Sequence, residues 1–310
     1  MKFQEFSIRQ LQALSWWCRN SPYAGCDAVI CDGAVRSGKT VCMGVSFFAW
    51  CFYRFDQQSF ALCGKTIRSL RRNLVTPLLP ILKELGFTVR GRAGENMLEV
   101  TQKGRSNRFY LFGGKDEGAS AMIQGITLAG ILLDEVALMP RSFVEQALAR
   151  CSVEGSKFWF NCNPEHPRHW FYEEWIQKRD EKNAYYLHFR MEDNPSLSEK
   201  MIERYRGLYS GSFYQRFIEG RWVAAEGILL RFQAGRRPEN RRRALSGACK
   251  PAWSQKAPVR HRRPLGGKLS GGNPPPWGVP GDPGKKQRSG WHTPGVYRIK
   301  GRCCGDLPAL

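Results

Sequence analysis

The sequence predicts an α/β fold: a mainly parallel sheet flanked by helices, then a basic tail without regular structure. Three observations carry this. Apolar runs of strand length alternate with stretches of helical length between residues 27 and 163. A glycine-rich loop, "GAVRSGKT" (33–40), lies between one such run and one such stretch. Past Gly227 neither a period of 2 nor one of 3.6 continues.

"DAVICD" (27–32) reads as a buried strand feeding the loop, and residues 39–54 read as the helix that leaves it. The apolar part of that helix, 41–53, is about 20 Å long at ~1.5 Å per residue, short of a bilayer core of about 30 Å. It is expected to be a buried helix, with no membrane partner. "SFALCG" (59–64) is the second strand. "IRSLRRNLVTPLLPILKELG" (67–86) is helical, bent or interrupted near Pro77 and Pro80, where the helix loses a donor and meets a ring clash. "FTVRG", "MLEVTQ" and "NRFYLFGG" have strand character and look like a hairpin excursion. "LAGILLDE" (128–135) is a buried strand, residues 140–151 a helix, and "SKFWFNCN" (156–163) a further strand.

The formal net charge of +21 over 310 residues points to a polyanionic partner. Residues 228–310 hold 18 lysines and arginines against three acids, which leaves only +6 for the first 227 residues. The same segment has 11 of the 18 prolines and 13 of the 32 glycines, a composition expected to be disordered. Eleven cysteines form no CxxC pair. Cys26 and Cys31 are close but lack two further ligands, so buried thiols in a reducing cytosol are expected instead of structural zinc. His166 and His169, beside prolines, read as structural.

The loop between strand and helix has the spacing of a phosphate cradle. Gly33 and Gly38 let the backbone amides of Ala34, Val35, Arg36 and Ser37 approach phosphate oxygens. Lys39 reaches the β- and γ-phosphates of a nucleotide, and the Thr40 hydroxyl faces Mg²⁺. "GILLDE" supplies the second half of such a site. Asp134 at the strand tip suits a metal shell, and Glu135 beside it suits polarising a water. A second carboxylate in that place favours ATP hydrolysis over transfer to an acceptor. Arg36 inside the loop is placed to neutralise charge on the β- and γ-phosphates, or else points to solvent. "NCNP" (161–164) ends the next strand and reads equally as a phosphate-sensing tip or as asparagine–proline turn chemistry. Arg68, Arg71 and Arg72, at i, i+3 and i+4, share one face of the predicted helix. That face is either simply solvated or a weak DNA-binding surface.

Four stretches, "GAVRSGKT", "FGGKDEGASAMIQGITLAGILLDEVALMP", "FNCNPEHPRHWFYEEWI" and "DNPSLSEKMIERYRGLYSGSFYQRFIEGRWVAAEG", resemble the large terminase subunit of tailed phages, of the PBSX type. The similarity covers residues 1–227. It implies an additional-strand P-loop ATPase that translocates double-stranded DNA into a procapsid in the host cytoplasm, with ATP and Mg²⁺ as cofactors. Portal protein, small terminase subunit and a homo-oligomeric ring are the implied partners. By motif, Lys39 and Thr40 fall in the phosphate loop, Arg36 matches the loop arginine, Asp134 holds metal and Glu135 is the catalytic carboxylate. Asn161, Cys162 and Asn163 match the motif coupling hydrolysis to DNA movement. Gln10 matches the adenine-contacting glutamine, with Gln12 as rival.

The resemblance also implies a C-terminal nuclease, which needs clustered acids around two metals. Beyond Gly227 only Glu239, Asp282 and Asp306 are acidic, none at the tip of an apolar strand, so nuclease activity is expected to be absent and the tail to derive from a shifted reading frame. The expected organisation is an ATPase domain over 1–190, a helical linker or lid over 191–227 and a basic tail over 228–310. The competing readings are an inactive prophage remnant whose tail binds nucleic acid non-specifically, and a P-loop phosphotransferase.

Overall fold

The computed structural model describes residues 4–224 and the two-residue strand Tyr297–Arg298. That strand (β10) pairs in parallel with Gln4–Glu5 (β1). The expected disorder and frameshift origin of the tail otherwise concern residues outside the described ones.

One eight-stranded sheet organises the rest. Its strands are Ala28–Gly33 (β2), Ser59–Gly64 (β3), Thr88–Arg92 (β4), Met97–Gln102 (β5), Arg105–Gly113 (β6), Gly130–Asp134 (β7), Lys157–Asn161 (β8) and Ala184–Phe189 (β9). They lie in the order β4-β5-β6-β3-β7-β8-β2-β9. From β6 to β9 every pairing is parallel, while β4 and β5 add an antiparallel margin. β8 lies between β2, which feeds the glycine loop, and β7, which ends in Asp134. That intervening strand is the additional strand of the expected fold class. The hairpin excursion is observed, but β6 returns beside β3, with Phe60 opposite Phe109, as a full member of the sheet. β9 has no counterpart among the expected strands. Its inward Tyr185, Leu187 and Phe189 alternate with Ala184, Tyr186 and His188, and Tyr186 is aromatic enough to blur the period.

Helix Lys39–Arg54 (α2) fixes the loop to the sheet. Phe47, Phe48 and Trp50 leave it as an aromatic wedge, all at most 1% exposed. Phe47 meets Trp159 at 5.1 Å and Phe60 at 5.8 Å, Phe48 stacks on Phe109 at 4.3 Å, and Trp50 lies 4.8 Å from Trp159. β7 begins with a glycine for this reason: a Cβ on Gly130 would come within 2.6 Å of the Trp50 ring. Buried polarity here is satisfied by one serine. Ser46 Oγ accepts from the indoles of Trp17 (3.1 Å) and Trp159 (3.2 Å) and donates to Leu14 O (3.3 Å).

The helical stretch after β3 runs on without a break: Ile67–Leu70 (α3), a π turn over Arg71–Val75, and Thr76–Glu84 (α4). The wide turn closes with Thr76 N–H on Arg71 O, immediately before Pro77, whose ring would otherwise strike the preceding turn. The departure from α-helical bonding therefore comes before Pro77, and α4 runs on through Pro80. Ile8–Ser15 (α1) starts on a reciprocal Ser7–Gln10 capping box. Helices Arg141–Ala149 (α5), Glu199–Leu208 (α6) and Gly211–Phe217 (α7) follow, with a π turn at Tyr172–Ile176 between α5 and α6. Among the described residues no helix is long and apolar enough to cross a membrane.

Because Phe47 joins the loop-bearing helix to three sheet aromatics, Phe60, Phe109 and Trp159, Phe47→Ala is expected to cost about 3–5 kcal/mol of unfolding free energy in urea titrations followed by circular dichroism.

Candidate functional site

The glycine loop leaves β2 at the carboxyl edge of the sheet, the usual place for a ligand crevice in an open α/β fold. Gly33 adopts φ 125° with its α-carbon against β9, where a Cβ would lie 2.0 Å from Phe189 O. Only glycine fits. Ala34 N–H then donates to Phe189 O and Val35 N–H to Phe217 O, both at 2.9 Å. Arg36 is left-handed (φ 60°), and the carboxamide of Asn194 donates to its carbonyl at 2.7 Å. Gly38 (φ 84°) opens α2. The first amides of that helix have no intrahelical acceptor and sit at its positive end, so they form an anion site.

Lys39 is 6% exposed and curls back onto the loop. Its ammonium donates to Gly33 O (3.1 Å), Ala34 O (2.7 Å), Ser37 Oγ (3.2 Å) and Asn163 Oδ1 (3.2 Å). Burial lowers its pKa to about 8, against the opposing pull of Cys162, Asp32, Cys31 and Asp134.

Asp134 ends β7, two strands from the loop strand, and is 3% exposed. Burial pushes its carboxyl up to about 6, although the Asn161 hydrogen bond pulls the other way. Asn161, at the tip of the strand between, joins the two halves. Its Nδ2 donates to Asp134 Oδ1 (2.6 Å) and to Thr40 Oγ1 (2.9 Å). Glu135 follows in the left-handed region (φ 60°), which turns it off the strand line, and it is half-buried. Cys162 is buried in an apolar cluster with Phe160 and Phe171.

Gln10 is fully buried, and its Nε2 lies 2.6 Å from where a Gly38 Cβ would stand. Its Oε1 accepts from Ser7 N–H, while among the described residues Nε2 has no acceptor. Gln12 instead bonds Arg9 at the surface, so the geometry puts Gln10, not its rival, beside the loop. Arg36 is exposed and, among the described residues, makes no ion pair. Arg68, Arg71 and Arg72 are not brought to this site: they follow β3, which β7 and β8 separate from β2. Arg68 and Arg72 are exposed, and Arg71 contacts Asn96. His166 and His169 shape local turns, accepting from Arg168 N and Phe171 N.

Three features are not legible in the sequence. Asp32, one residue before the loop, is fully buried and bonded to Tyr186, His188 and Trp222. Asn194 holds Arg36. Gly220 packs on the loop backbone. An acid closing an apolar strand is the one available signal. The partners of Asp32 and of Arg36 lie more than 150 positions away in the chain.

The donor set fits a nucleotide with its metal. The unpaired Gln10 Nε2 suits an acceptor nitrogen on an adenine edge, the α2 amides suit phosphate, and the adjoining Thr40 hydroxyl and Asp134 carboxylate are hard oxygens suited to Mg²⁺.

A family model described as the N-terminal part of the T4likevirus-type terminase large subunit matches residues 30–236. Among solved structures, the large terminase of a thermophilic bacteriophage is 55% identical with a TM-score of 0.71, covering 73% of this chain and 55% of that one. The same terminase in complex with ADP matches at 54% identity and a TM-score of 0.69, covering 70% and 54%. The HK97 bacteriophage large terminase, at 14% identity and a TM-score of 0.51 over 71% of this chain and 50% of that one, shares the fold. The chain thus spans about half the length of the solved structures it matches. No curated protein matches it.

The raised Asp134 pKa has a consequence for stability. Between its ordinary value of 3.8 and about 6, the unfolded chain has lost this proton while the folded chain keeps it, so stability falls as pH rises through that window. Above it the penalty is complete. Asp134→Asn is expected to raise unfolding free energy by on the order of 2 kcal/mol at pH 8, the gain vanishing below about pH 4, in urea titrations at the two pH values.

Proposed function

This chain belongs to the terminase large-subunit family, and from that premise we propose that it hydrolyses ATP to drive double-stranded DNA into a viral procapsid. The observation that carries the proposal is the Asn161 bridge, which holds Thr40 of the phosphate loop and Asp134 of the opposite strand on one carboxamide.

In this reading the α2 amides and Lys39 bind the β- and γ-phosphates, and Lys39 exchanges its loop carbonyls for phosphate oxygens. Thr40 and Asp134 would hold Mg²⁺, which when bound would supply charge stabilisation at the phosphate oxygens. Glu135 accepts a proton from the attacking water, and the exposed Arg36 guanidinium offsets charge on the phosphates. Asn163 loses its Lys39 donor as the lysine turns, which links the phosphate to the loop after β8. Gln10 reads the adenine. Glu135, beside Asp134 and open to solvent on one side, favours water over a bound acceptor and so hydrolysis over phosphotransfer.

The cytoplasm of the host is the proposed setting, with portal protein, small subunit and a homo-oligomeric ring as partners. Arg68 and Arg72 are proposed as phosphate contacts for DNA, with Arg71 in support.

Steady-state ATP hydrolysis by the full chain, with and without double-stranded DNA, tests the proposal; turnover that rises with DNA is the expected result. Glu135→Ala is expected to retain ATP binding and lose at least ~100-fold in turnover; weakened binding with turnover intact would contradict its role. Replacing Arg68, Arg71 and Arg72 by alanine is expected to flatten the dependence of log Kobs for DNA on log salt by about 0.9 per lost contact. An unchanged slope removes them from the DNA surface.

A further inference from the structure

Asp32 is a buried carboxylate that the hydrolytic scheme does not use. Both of its oxygens are engaged. Oδ1 accepts from the Tyr186 hydroxyl (2.8 Å) and the His188 ring (2.9 Å), and Oδ2 accepts from the Trp222 indole (2.7 Å). A carboxylate only accepts, so His188 carries its proton on Nδ1. Asp32 ties the strand entering the phosphate loop to Trp222, 190 positions later, in the segment that follows α7.

That segment lies directly on the loop. Phe217 O accepts from Val35 N–H at 2.9 Å. Gly220 (φ 71°) sits so close that a Cβ would be 2.7 Å from Ala34 N and from Gly33 Cα. Trp222 packs against Tyr172, at 4.9 Å, and His169, at 6.0 Å. At the other end Arg216 donates to Pro164 O at 3.3 Å and pairs with Glu165, just past Asn163. Residues 216–222 thus touch two loops, 33–35 and 163–165. Lys39 bonds the same two loops, through Gly33 O, Ala34 O and Asn163 Oδ1.

We propose that Asp32 is a positioning residue for the phosphate loop, acting through the strap of residues 217–222 that it anchors. When Lys39 turns toward a phosphate it releases the two carbonyls beneath the Gly220 seat, and the strap responds. The strap in turn holds Gly33 and Ala34 where the helix amides can meet the phosphate. The Asp32–Trp222 bond is the fixed end against which that response is made. The proposal rests on nucleotide binding at the loop, the reading given above.

The test combines amide hydrogen exchange over residues 217–222 with calorimetric titration, both on the full chain with Mg²⁺ and ATP-γ-S. In the unaltered chain, exchange across the strap is expected to slow several-fold on binding. Trp222→Phe keeps a ring against Tyr172 and His169 but removes the N–H donor. It is expected to weaken ATP-γ-S binding about tenfold, a usual size for coupling between sites, and to make strap exchange indifferent to nucleotide. Trp222→His, which restores a ring N–H, is expected to recover part of both. Normal binding with strap exchange unchanged in the unaltered chain overturns the proposal and leaves the ATP reading standing. This outcome does not depend on any variant folding. An unaltered chain that binds no ATP-γ-S overturns both.

Discussion

A lysine ammonium taken out of water needs acceptors on every side, and at Lys39 this requirement shapes the molecule around it. Its acceptors come from the loop itself, from Ser37 and from Asn163, 124 positions away. To present them, β2 and β8 must lie side by side with their carboxyl ends level, as the pairing of Cys31 with Asn161 provides. The loop must also fold back on itself, which Gly33 and Gly38 permit through left-handed backbone that other residues adopt only under strain. The cost of burying this charge is visible in its lowered pKa.

The other end of α2 explains why the loop stays in register. Ala34 and Val35 pack against Met191, Ile202 and Ile218, and the C-terminal end of the loop takes its position from the helix that leaves it. That helix is wedged into the sheet by Phe47, Phe48 and Trp50, and the rings they meet lie on β3, β6 and β8. Packing in such a core is dense and deforms little. A displacement at the aromatic end would therefore appear at Thr40. Lys39 and Thr40 thus stand on a rigid element, while Asn163 stands on a loop.

At the opposite side of the site, stability is given up. Asp134 is buried deeply enough to raise its pKa, and a carboxamide oxygen of its partner Asn161 finds no donor among the described residues. Unsatisfied or disfavoured polar groups are uncommon in protein interiors and gather where a ligand completes them. Gln10 Nε2, beside Gly38, is a third such group. All three border the phosphate loop or the tip of β7. Two further unpaired buried groups among the described residues, Trp16 Nε1 and Arg150 Nε, lie away from the loop, so it is the three together at one place that suit a nucleotide and its metal.

The sequence by itself determined the fold class and the principal chemical groups. The spacing from Gly33 to Thr40 is legible because phosphate binding demands local backbone geometry, and Asp134–Glu135 because an apolar strand ending in two acids is a local pattern. The bounds of α2 and β3 follow from apolar runs for the same reason. What the tertiary structure decided is everything that depends on partners far apart in the chain. It placed β8 between β2 and β7, set Gln10 and not Gln12 beside the loop, put a π turn at Arg71–Val75, and joined Asp32 to Trp222. Local propensity carries no record of which distant donor will meet a buried acceptor. That is settled only when the strands pair and the requirement to satisfy each buried polar group selects among the contacts the fold allows.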